Sequence, residues 1–380
     1  MKKIGILGST GSVGTQCLDL IRDYPNEFKV EFLVAHSNVE KIITQAKDFN
    51  PKYVCLFDET KYEELKNELS DIQILIGNDE IHSLCKNQDL DIILNAVSGY
   101  KGLSLSYEIL KSGIDLALSN KESIVQAGNI LMNLAKENNA NIFPVDSEHS
   151  AIWQCLIGEK NSQIKRIILT GSGGPFRTLD LDEFQNITKD QALNHPNWDM
   201  GPKITIDSAT MMNKGFELIE AFWLFGVSYD NIDVVIHPQS IIHSMIEYVD
   251  GSIKAQLSEP TMRTPIQFAL SYPDRLIVNQ NNFDFIKNNQ FTFEDVDYQK
   301  FPCLKLAYES GIKGGTCTTV LNVANDLAVD MFLNNKINFT EINNIIDICL
   351  NKHDNISNPD LDNIYGTMRW TEEYILKELT

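Results

Sequence analysis

The first 145 or so residues alternate short apolar runs with amphipathic stretches of helical period, and this alternation restricts the possible folds more than any other feature. The apolar runs, predicted as strands, are Lys3–Leu7, Val30–Val34, Tyr53–Leu56, Ile72–Ile76, Asp91–Asn95, Asp115–Leu118 and Asn141–Phe143. The amphipathic stretches, predicted as helices, include Val13–Arg22, Val39–Phe49, Leu103–Lys111 and Ser123–Glu137. Strands that alternate with helices of this length predict an α/β fold with a doubly wound parallel sheet.

After Ser150 the pattern becomes less regular. The predicted strands are Arg166–Thr170, Lys203–Ile206, Val234–His237, Ile242–Tyr248 and Ser252–Leu257. Asp250-Gly251 between the last two is a hairpin signal, and a helix is predicted over Met211–Phe225. The middle of the chain is therefore predicted to be a mixed α+β domain.

The last part of the chain has a helical pattern. Ser271–Gln299 is polar and weakly periodic, which is typical of a linker. Helices are predicted over Pro302–Glu309, Val320–Phe332, Glu341–Asn351 and Arg369–Leu379, with Gly311 as a C-cap and Thr340 as an N-cap. We therefore expect a Rossmann-like domain (1–146), a central α+β domain (147–271), a linker (272–299) and a C-terminal helical bundle (300–380).

Charge and cysteine usage exclude several classes of protein. The chain has 32 Lys and Arg residues against 52 Asp and Glu residues, a net charge of −20, and it has no local basic stripe. Such a chain is not expected to bind nucleic acid. The seven cysteines are scattered and form no C-x-x-C pair, which is typical of reduced thiols. No apolar run is long enough to span a membrane, and we expect a cytoplasmic protein.

A glycine-rich turn follows the first predicted strand. Gly8, Gly11 and Gly14 are spaced G-x-x-G-x-x-G between that strand and the first helix. This arrangement allows a tight turn, close approach of a pyrophosphate and close packing of the helix on the strand. A packing turn would explain the glycines alone, but their place at the first strand of a doubly wound sheet favours a dinucleotide site.

The end of the second strand indicates which dinucleotide binds. NAD-selective folds place an acidic residue there to hold the ribose 2′-hydroxyl. This chain has His36, Ser37 and Asn38 instead. The absence of a carboxylate favours NADP, although solvated loop residues would give the same pattern.

Three carboxylates are candidates for a divalent metal. In an extended chain Asp146 and Glu148 project to the same side, and both follow an apolar strand. Glu217 shares a helix face with Asn213 and Lys214, at spacings of four and three residues. Hard oxygen ligands suit Mg²⁺ or Mn²⁺, whereas solvated acidic faces or salt bridges are the alternative.

A second anion site is predicted in the middle of the chain. The glycine-rich turn around Ser172 is suited to an anion nest, and Ser208 is expected at the N-terminus of the following helix, near Lys214. Trp198 and Met200 lie in a polar loop that ends at Gly201. A mobile lid over a small polar substrate or a structural anchor would each explain this loop.

These motifs together resemble the 1-deoxy-D-xylulose 5-phosphate reductoisomerase family. The motifs run in order through most of the chain and are Gly8–Gly14 (GSTGSVG), Asn120–Ser123 (NKES), Asp146–Ser150 (DSEHS), Gly171–Phe176 (GSGGPF), His195–Gly201 (HPNWDMG), Asp207–Glu217 (DSATMMNKGFE), His237–Met245 (HPQSIIHSM) and Glu259–Ile266 (EPTMRTPI). The resemblance implies a homodimeric enzyme that uses NADPH and a divalent metal. The implied enzyme would rearrange 1-deoxy-D-xylulose 5-phosphate and reduce the aldehyde formed to 2-C-methyl-D-erythritol 4-phosphate.

The resemblance also implies roles for individual residues. The implied metal ligands are Asp146, Glu148 and Glu217, and the implied phosphate pocket is Ser172, His195, Ser208, Asn213 and Lys214. Lys121, Ser147, Glu148, Glu217 and Trp198 are implied substrate contacts, with Lys121, Glu148 and His195 as catalytic residues. The implied cofactor contacts are Thr10, Gly11, Ser12, Val13, His36, Ser37, Asn38, Asn120, Glu122 and Gly201.

One departure from the family pattern concerns the cofactor. Family members often carry a lysine after the second strand, where this chain has His36-Ser37-Asn38. We therefore expect a weaker hold on the 2′-phosphate, or one that depends on pH through His36. Two alternatives to the family function remain: a semialdehyde or homoserine type of dehydrogenase, which would need a catalytic cysteine or lysine, and a regulator that senses NADPH without turnover.

Overall fold

A computed structural model describes residues 1–87, 89–198, 200–277 and 283–379. Contacts between residues divide the described chain into two units. The first unit contains residues 1–123, 131–150 and 262–277, and the second contains 124–130, 151–198, 200–261 and 283–379. This grouping differs from the predicted division, because it assigns 262–271 to the same unit as the N-terminal sheet and 300–379 to the same unit as the central residues.

The first unit is built on a parallel sheet. Its strands are β1 Lys2–Leu7, β2 Phe28–Ala35, β3 Tyr53–Leu56, β4 Gln73–Ile76, β5 Ile92–Asn95, β6 Asp115–Leu118 and β7 Ile142–Pro144. Their order is β4-β3-β2-β1-β5-β6-β7, with every pair parallel. The predicted doubly wound sheet is therefore confirmed, and its order reverses between β1 and β5, where such folds bind ligands.

The second unit contains a mixed sheet. Its strands are β8 Ile164–Gly171, β9 Ile232–Ile236, β10 Ile242–Tyr248 and β11 Ile253–Leu257, in the order β11-β10-β8-β9. β8 and β9 are parallel, while β10 is antiparallel to both β8 and β11. The predicted hairpin between β10 and β11 is confirmed, with Gly251 at φ +85°. The backbone N–H of Ser252 donates to the carboxylate of Asp250 at 2.9 Å.

Helices make up most of the remaining described chain. They are α1 Ser12–Asp23, α2 Val39–Phe49, α3 Tyr62–Glu68, α4 Asn78–Leu84, α5 Leu103–Lys111, α6 Lys121–Glu137, α7 Ser147–Leu156, α8 Lys189–Ala192, α9 Pro202–Ala209, α10 Met212–Phe225, α11 Arg263–Ser271, α12 Pro302–Lys313, α13 Cys317–Leu333, α14 Phe339–Lys352 and α15 Leu361–Glu378. None of these helices is long and apolar enough to cross a membrane.

Each unit has its own apolar core. In the first unit, β1, β2 and β5 bury Ile4, Ile6, Leu33 and Leu94 against α1 and α11. In the second unit, α13 lies at the centre of a cluster that also includes α10, α12 and α14. The fold class is thus α/β, with a parallel Rossmann-like sheet, a second mixed sheet and a helical C-terminal region.

One predicted strand is wrong. Lys203–Ile206 was expected to be extended because polar and apolar residues alternate there, but these residues lie in α9. Pro202 occupies the first turn of this helix, where its missing N–H removes no helical hydrogen bond. The hydroxyl of Thr205 also donates to the carbonyl of Gly201 at 2.8 Å. A four-residue alternation is too short to distinguish a strand from a buried helix.

Two predicted helix ends are also wrong. Gly311 is not a C-cap: α12 continues to Lys313 and ends at Gly314 with φ +63°. Gly311 instead allows close packing, since a Cβ there would lie 2.7 Å from the ring of Tyr229. The N-cap of α14 is Asn338 rather than Thr340, and its side chain forms a capping box with Glu341.

The predicted linker 272–299 is only partly described. Residues 278–282 lie outside the described residues. Glu294 pairs with the edge of the mixed sheet, where its backbone N–H and carbonyl bond to Ile236 at 2.9 and 3.0 Å. This part of the segment therefore adds to the second unit rather than only connecting elements.

Candidate active site

The glycine-rich turn has the geometry of a dinucleotide site. Gly8 has φ +81°, and a Cβ there would lie 2.5 Å from the carbonyl oxygen of Ala96. A Cβ on Gly14 would lie 2.3 Å from the carbonyl oxygen of Gly8, so α1 starts against the turn. No side chain caps the N-terminus of α1, which begins after Gly11. Its first N–H groups are therefore available to an anion.

The residues after β2 lie at the surface. His36, Ser37 and Asn38 are exposed, and none of them is acidic. The side-chain oxygen of Asn38 accepts a hydrogen bond from the backbone N–H of Lys41 at 3.1 Å, which caps α2. The ring of His36 lies edge-on to Phe57 at 6.1 Å. The capping role of Asn38 was not expected from the sequence.

Asn120 and Glu122 hold the loop that follows β5. Asn120 caps α6, and its amide group donates to the carbonyls of Val97 and Gly99 at 2.7 and 2.8 Å. The Glu122 carboxylate accepts from the backbone N–H of Gly99 at 3.2 Å. Since β5 is next to β1, these two side chains order the loop at the point where the sheet order reverses.

A buried carboxylate follows β7. Asp146 and Lys121 form an ion pair, with side chains 8% and 7% exposed. Nδ1 of His149 lies 3.7 Å from Asp146. Burial favours a raised pKa for Asp146, but the Lys121 ammonium and the nearby His149 side chain outweigh it and hold the pKa well below its usual range. Asp146 is therefore ionised, as a ligand for a cation must be.

Glu148 approaches Asp146 in a different way from the one predicted. The expected extended chain is absent because α7 begins at Ser147, so Glu148 lies in the first helical turn. Its backbone N–H donates to Asp146 at 3.3 Å, and the hydroxyl of Ser147 donates to its carboxylate at 2.6 Å. Carboxylate oxygens of Asp146 and Glu148 lie within 4.8 Å of each other. This donor set fits a hard divalent cation.

In the second unit, His195 lies between two serine hydroxyls. Its Nε2 is 3.2 Å from Ser172 Oγ and 3.1 Å from Ser208 Oγ. Its Nδ1 accepts backbone N–H groups of Asn197 and Trp198 at 3.2 and 3.0 Å. The neutral ring therefore carries its proton on Nε2, between the hydroxyls. Burial lowers the pKa of His195 to about 4.

Glycines bring the backbone close to this histidine and its serines. Gly173 and Gly174 have φ +83° and +68°, and a Cβ on Gly174 would lie 2.6 Å from the carbonyl oxygen of Ser208. The N–H of Gly174 donates to Ser172 Oγ at 3.2 Å. A Cβ on Gly171 would lie 2.9 Å from Cε of Lys214. Two hydroxyls, an imidazole and a lysine thus surround one glycine turn, which is the set that a phosphate requires.

The position of Ser208 differs from the prediction. It lies in the last turn of α9 and not at the N-terminus of α10, which begins at Met212 after Met211 with φ +61°. The left-handed residue turns the chain sharply between the two helices. Ser208 thus reaches His195 from the end of one helix, while Lys214 belongs to the start of the next.

Along α10, the predicted shared face is confirmed. The amide group of Asn213 donates to Glu217 at 2.6 Å, and Lys214 forms an ion pair with the same carboxylate. Lys214 and Glu217 are 4% and 1% exposed. Glu217 is therefore a buried, oriented carboxylate that can offer oxygen atoms to a cation.

The loop before α9 is anchored to a neighbouring turn. The amide group of Asn197 donates to the carbonyl of Pro238 at 2.7 Å and to the hydroxyl of Ser240 at 2.9 Å. Trp198 is half-buried, and its ring lies 6.4 Å from that of His243. Residue 199 lies outside the described residues, and Gly201 is the exposed N-cap of α9. Sequence reasoning did not identify the anchoring role of Asn197.

The cysteines do not support a cysteine-dependent dehydrogenase. All seven are buried. Burial raises the pKa of Cys17, Cys55, Cys85, Cys303 and Cys349 to about 12 and that of Cys155 to about 11. Burial also raises the pKa of Cys317. Reactive cysteines are partly exposed and have a low pKa, so none of these is suited to act as a nucleophile.

The chain matches family models over most of its length. Residues 4–128 match the model described as 1-deoxy-D-xylulose 5-phosphate reductoisomerase. Residues 142–225 match its C-terminal domain, and residues 257–374 match the model described as DXP reductoisomerase C-terminal domain.

Proteins and structures similar to the whole chain carry the same name. The 1-deoxy-D-xylulose 5-phosphate reductoisomerase of Thermoanaerobacter pseudethanolicus is 50% identical over 380 residues, which cover 100% of this chain and 99% of that protein. A crystal structure of a DOX-P reductoisomerase in complex with NADPH, fosmidomycin and magnesium is 37% identical, with a TM-score of 0.94 over 100% of both chains. The Zymomonas mobilis enzyme in complex with NADPH is 39% identical, with a TM-score of 0.91 over 98% of this chain and 97% of that one. This chain belongs to the 1-deoxy-D-xylulose 5-phosphate reductoisomerase family.

Proposed function

We propose that this chain converts 1-deoxy-D-xylulose 5-phosphate to 2-C-methyl-D-erythritol 4-phosphate, using NADPH and a divalent cation. The observation that carries the proposal is the 50% identity over all 380 residues. Isoprenoid biosynthesis by the non-mevalonate route is the corresponding metabolic role. A semialdehyde or homoserine type of dehydrogenase and an NADPH-sensing regulator are not favoured.

The substrate phosphate is assigned to the second unit. Ser172, His195, Ser208, Asn213 and Lys214 supply hydroxyl, imidazole, amide and ammonium donors around the Gly171–Phe176 turn. His195 holds its proton on the nitrogen between the two hydroxyls, so it can donate to a phosphate oxygen without first being protonated. Lys214 provides a local positive charge for the phosphate in a chain whose net charge is −20.

The cation is assigned to Asp146, Glu148 and Glu217. All three are carboxylates, and Asp146 and Glu217 are already buried, so little further desolvation is needed when they bind an ion. Carboxylate oxygens are the ligands that Mg²⁺ and Mn²⁺ prefer. When bound, the cation polarises the substrate carbonyl and stabilises the oxyanions that form during rearrangement.

Lys121 and Ser147 are assigned to the substrate backbone. Lys121 balances the charge of buried Asp146, and its ammonium group can donate to a substrate oxygen that binds beside this carboxylate. Glu148 lies next to this pair and is proposed to act on the substrate as well as to hold the cation. These side chains orient the substrate and stabilise developing negative charge.

The cofactor is assigned to the first unit. Thr10, Gly11, Ser12 and Val13 form the free N-terminus of α1, which suits the pyrophosphate. The remaining proposed contacts are His36, Ser37, Asn38, Asn120, Glu122 and Gly201. Asn38 also caps α2, so its side-chain nitrogen rather than its oxygen is available to the cofactor. NADPH itself supplies the hydride.

The loop around Trp198 and Met200 is proposed to close over the substrate. Asn197 anchors this loop to the turn that contains Pro238 and Ser240. A closed loop would exclude water from the reactive aldehyde. We further propose that the protein acts as a homodimer in the cytoplasm.

A direct assay of NADPH oxidation tests the proposed function. NADPH oxidation is measured with 1-deoxy-D-xylulose 5-phosphate in the presence of Mg²⁺ or Mn²⁺, and again after addition of EDTA. Oxidation that depends on both the substrate and the cation is expected. No substrate-dependent oxidation, or oxidation unaffected by EDTA, would overturn the proposal. Comparison of the two cations shows which supports faster turnover.

A further inference from the structure

A cluster of charged and polar side chains lies inside the helical part of the second unit. Asp207, in α9, is 2% exposed. Its Oδ1 accepts a hydrogen bond from the amide of Asn325, on α13, at 2.8 Å. Its Oδ2 lies 2.5 Å from Nζ of Lys203, which also pairs with Asp326 at 2.9 Å. We call Asp207, Lys203, Asn325 and Asp326 the Asp207 cluster.

The Asp207 cluster holds a short helix that carries part of the phosphate pocket. α9 has eight residues, and Gly201, at its N-cap, ends the loop that starts at His195. Ser208 follows Asp207 directly and approaches His195 Nε2 to 3.1 Å. A helix of this length has little stability of its own. Contacts from its side chains therefore determine how its last turn is oriented.

A further contact makes that orientation critical. The carbonyl oxygen of Ser208 would lie 2.6 Å from a Cβ on Gly174, so α9 packs directly on the glycine turn. A shift of α9 by a fraction of an ångström would move Ser208 relative to both His195 and this turn. Displacements of about 1 Å can cost about a hundredfold in catalysis.

A buried charged cluster is a poor source of stability but a good source of orientation. The desolvation of two buried charges roughly cancels their attraction, so apolar side chains would stabilise the core equally well. Asp207 uses both carboxylate oxygens, one toward α13 and one toward Lys203 on the preceding turn of α9. The contacts that cross from α9 to α13 are the Asp207–Asn325 hydrogen bond and the Lys203–Asp326 ion pair. Because they join the two helices one turn apart along α9, they fix α9 against rotation as well as against translation.

We infer that Asp207, held by Lys203 and Asn325, is a positioning residue that keeps Ser208 in place for the substrate phosphate. Asp207 is not assigned to substrate, cation or cofactor, and it acts through the helix that carries Ser208. This inference rests on the proposed function, because the pocket that it orders is the one assigned to the substrate phosphate.

The structure provides a matched pair of variants for the test. Asn325→Ala removes the hydrogen bond to Asp207. Asn322→Ala makes the same truncation one turn earlier on α13, at a residue that is also 0% exposed and whose amide atoms have no hydrogen-bond partner among the described residues. Both variants leave a similar cavity, so a difference between them reports on the Asp207 cluster rather than on packing.

The measurements are the Kd of inorganic phosphate by calorimetry, the KM values of both substrates and kcat, all on the full-length protein. We expect Asn325→Ala to raise the phosphate Kd and the sugar-phosphate KM about tenfold, which is the effect of one hydrogen bond. The NADPH KM should stay unchanged and kcat should fall by less than about threefold. Asn322→Ala should change only the melting temperature.

Equal phosphate Kd and KM values in the two variants would overturn the inference. If Asn325→Ala does not fold, Asp207→Asn provides a second test, since it keeps an oxygen for Asn325 but loses the charge that pairs with Lys203. It too should raise the phosphate Kd and leave the NADPH KM unchanged. Absence of turnover in the unmodified protein would overturn the proposed function instead. The phosphate Kd, which needs no turnover, would still decide whether Asp207 orders the pocket.

Discussion

Lys214 and Glu217 lie one turn apart on α10 and form an ion pair in which both side chains are buried. Lys214 is assigned to the substrate phosphate and Glu217 to the cation. Asn213 also donates a hydrogen bond to the Glu217 carboxylate at 2.6 Å. Under the proposed assignments, binding of the cation and binding of the phosphate would act on the same ion pair.

This pair predicts that Mg²⁺ strengthens phosphate binding. A cation on Glu217 neutralises the charge that attracts Lys214, which leaves the ammonium free for the phosphate. We expect saturating Mg²⁺ to lower the Kd of inorganic phosphate by about fivefold or more, which is a typical coupling between sites. Calorimetric titration with and without Mg²⁺ measures it. Glu217→Gln should abolish the effect, and an unchanged Kd in the unmodified protein would contradict the prediction.

Removal of the charge of Glu217 should stop turnover without affecting the cofactor. We expect Glu217→Gln to lower kcat by about 100-fold or more, because one of three carboxylates assigned to the cation is lost. The Kd of NADPH, measured by fluorescence, should remain within about twofold. Glu247→Gln is a control, since Glu247 is also mostly buried but pairs with Lys165 and Arg166. Loss of NADPH binding in Glu217→Gln would show that Glu217 is misassigned.

His195 should make the stability of the protein depend on pH. Burial lowers its pKa to about 4 in the folded state, against about 6.5 in an unfolded chain. Between these values the unfolded state binds more protons, so this contribution is complete above pH 6.5 and is lost as the pH falls toward 4. His195→Gln removes it. The melting temperature of the unmodified protein relative to the variant should therefore fall between pH 7 and pH 5, and a constant difference would contradict the assignment.

Cofactor affinity should increase when a lysine is placed after β2. Ser37 is exposed and precedes the N-cap of α2, where a positive charge could reach a 2′-phosphate. We expect Ser37→Lys to lower the Kd of NADPH by up to about fivefold and to leave the Kd of NADH unchanged, which is the gain of one exposed ion pair. An equal change for both cofactors would mean that the 2′-phosphate is not bound near Ser37.

Local patterns allowed much of the fold and part of the site to be predicted. The parallel sheet follows from alternating periodicities, and the glycine turn follows from the spacing of Gly8, Gly11 and Gly14 directly after the first strand. The Asn213–Glu217 and Lys214–Glu217 contacts were predictable because residues three and four apart on a helix are neighbours. In each case the interacting groups lie within one element or at its end.

The remaining features depend on contacts between residues that are distant in sequence. Lys203–Ile206 alternates like a strand, but Pro202 and the packing of α9 against α10 and α13 make it helical. Ser208 approaches His195 from the last turn of α9, which the left-handed Met211 separates from α10. Asn325 donates a hydrogen bond to Asp207, although the two residues are 118 positions apart in the chain.

By itself, the sequence determined the class of fold, the glycine-rich turn assigned to the cofactor and the types of side chain available for a cation and a phosphate. Hydrophobic periodicity and glycine spacing are local properties, so they can be recognised directly in the sequence. Only the tertiary structure decided which ring nitrogen of His195 carries the proton, which carboxylates are buried and which residues keep Ser208 in place. These properties depend on burial and on partners from other elements, since desolvation and hydrogen bonding act through space rather than along the chain.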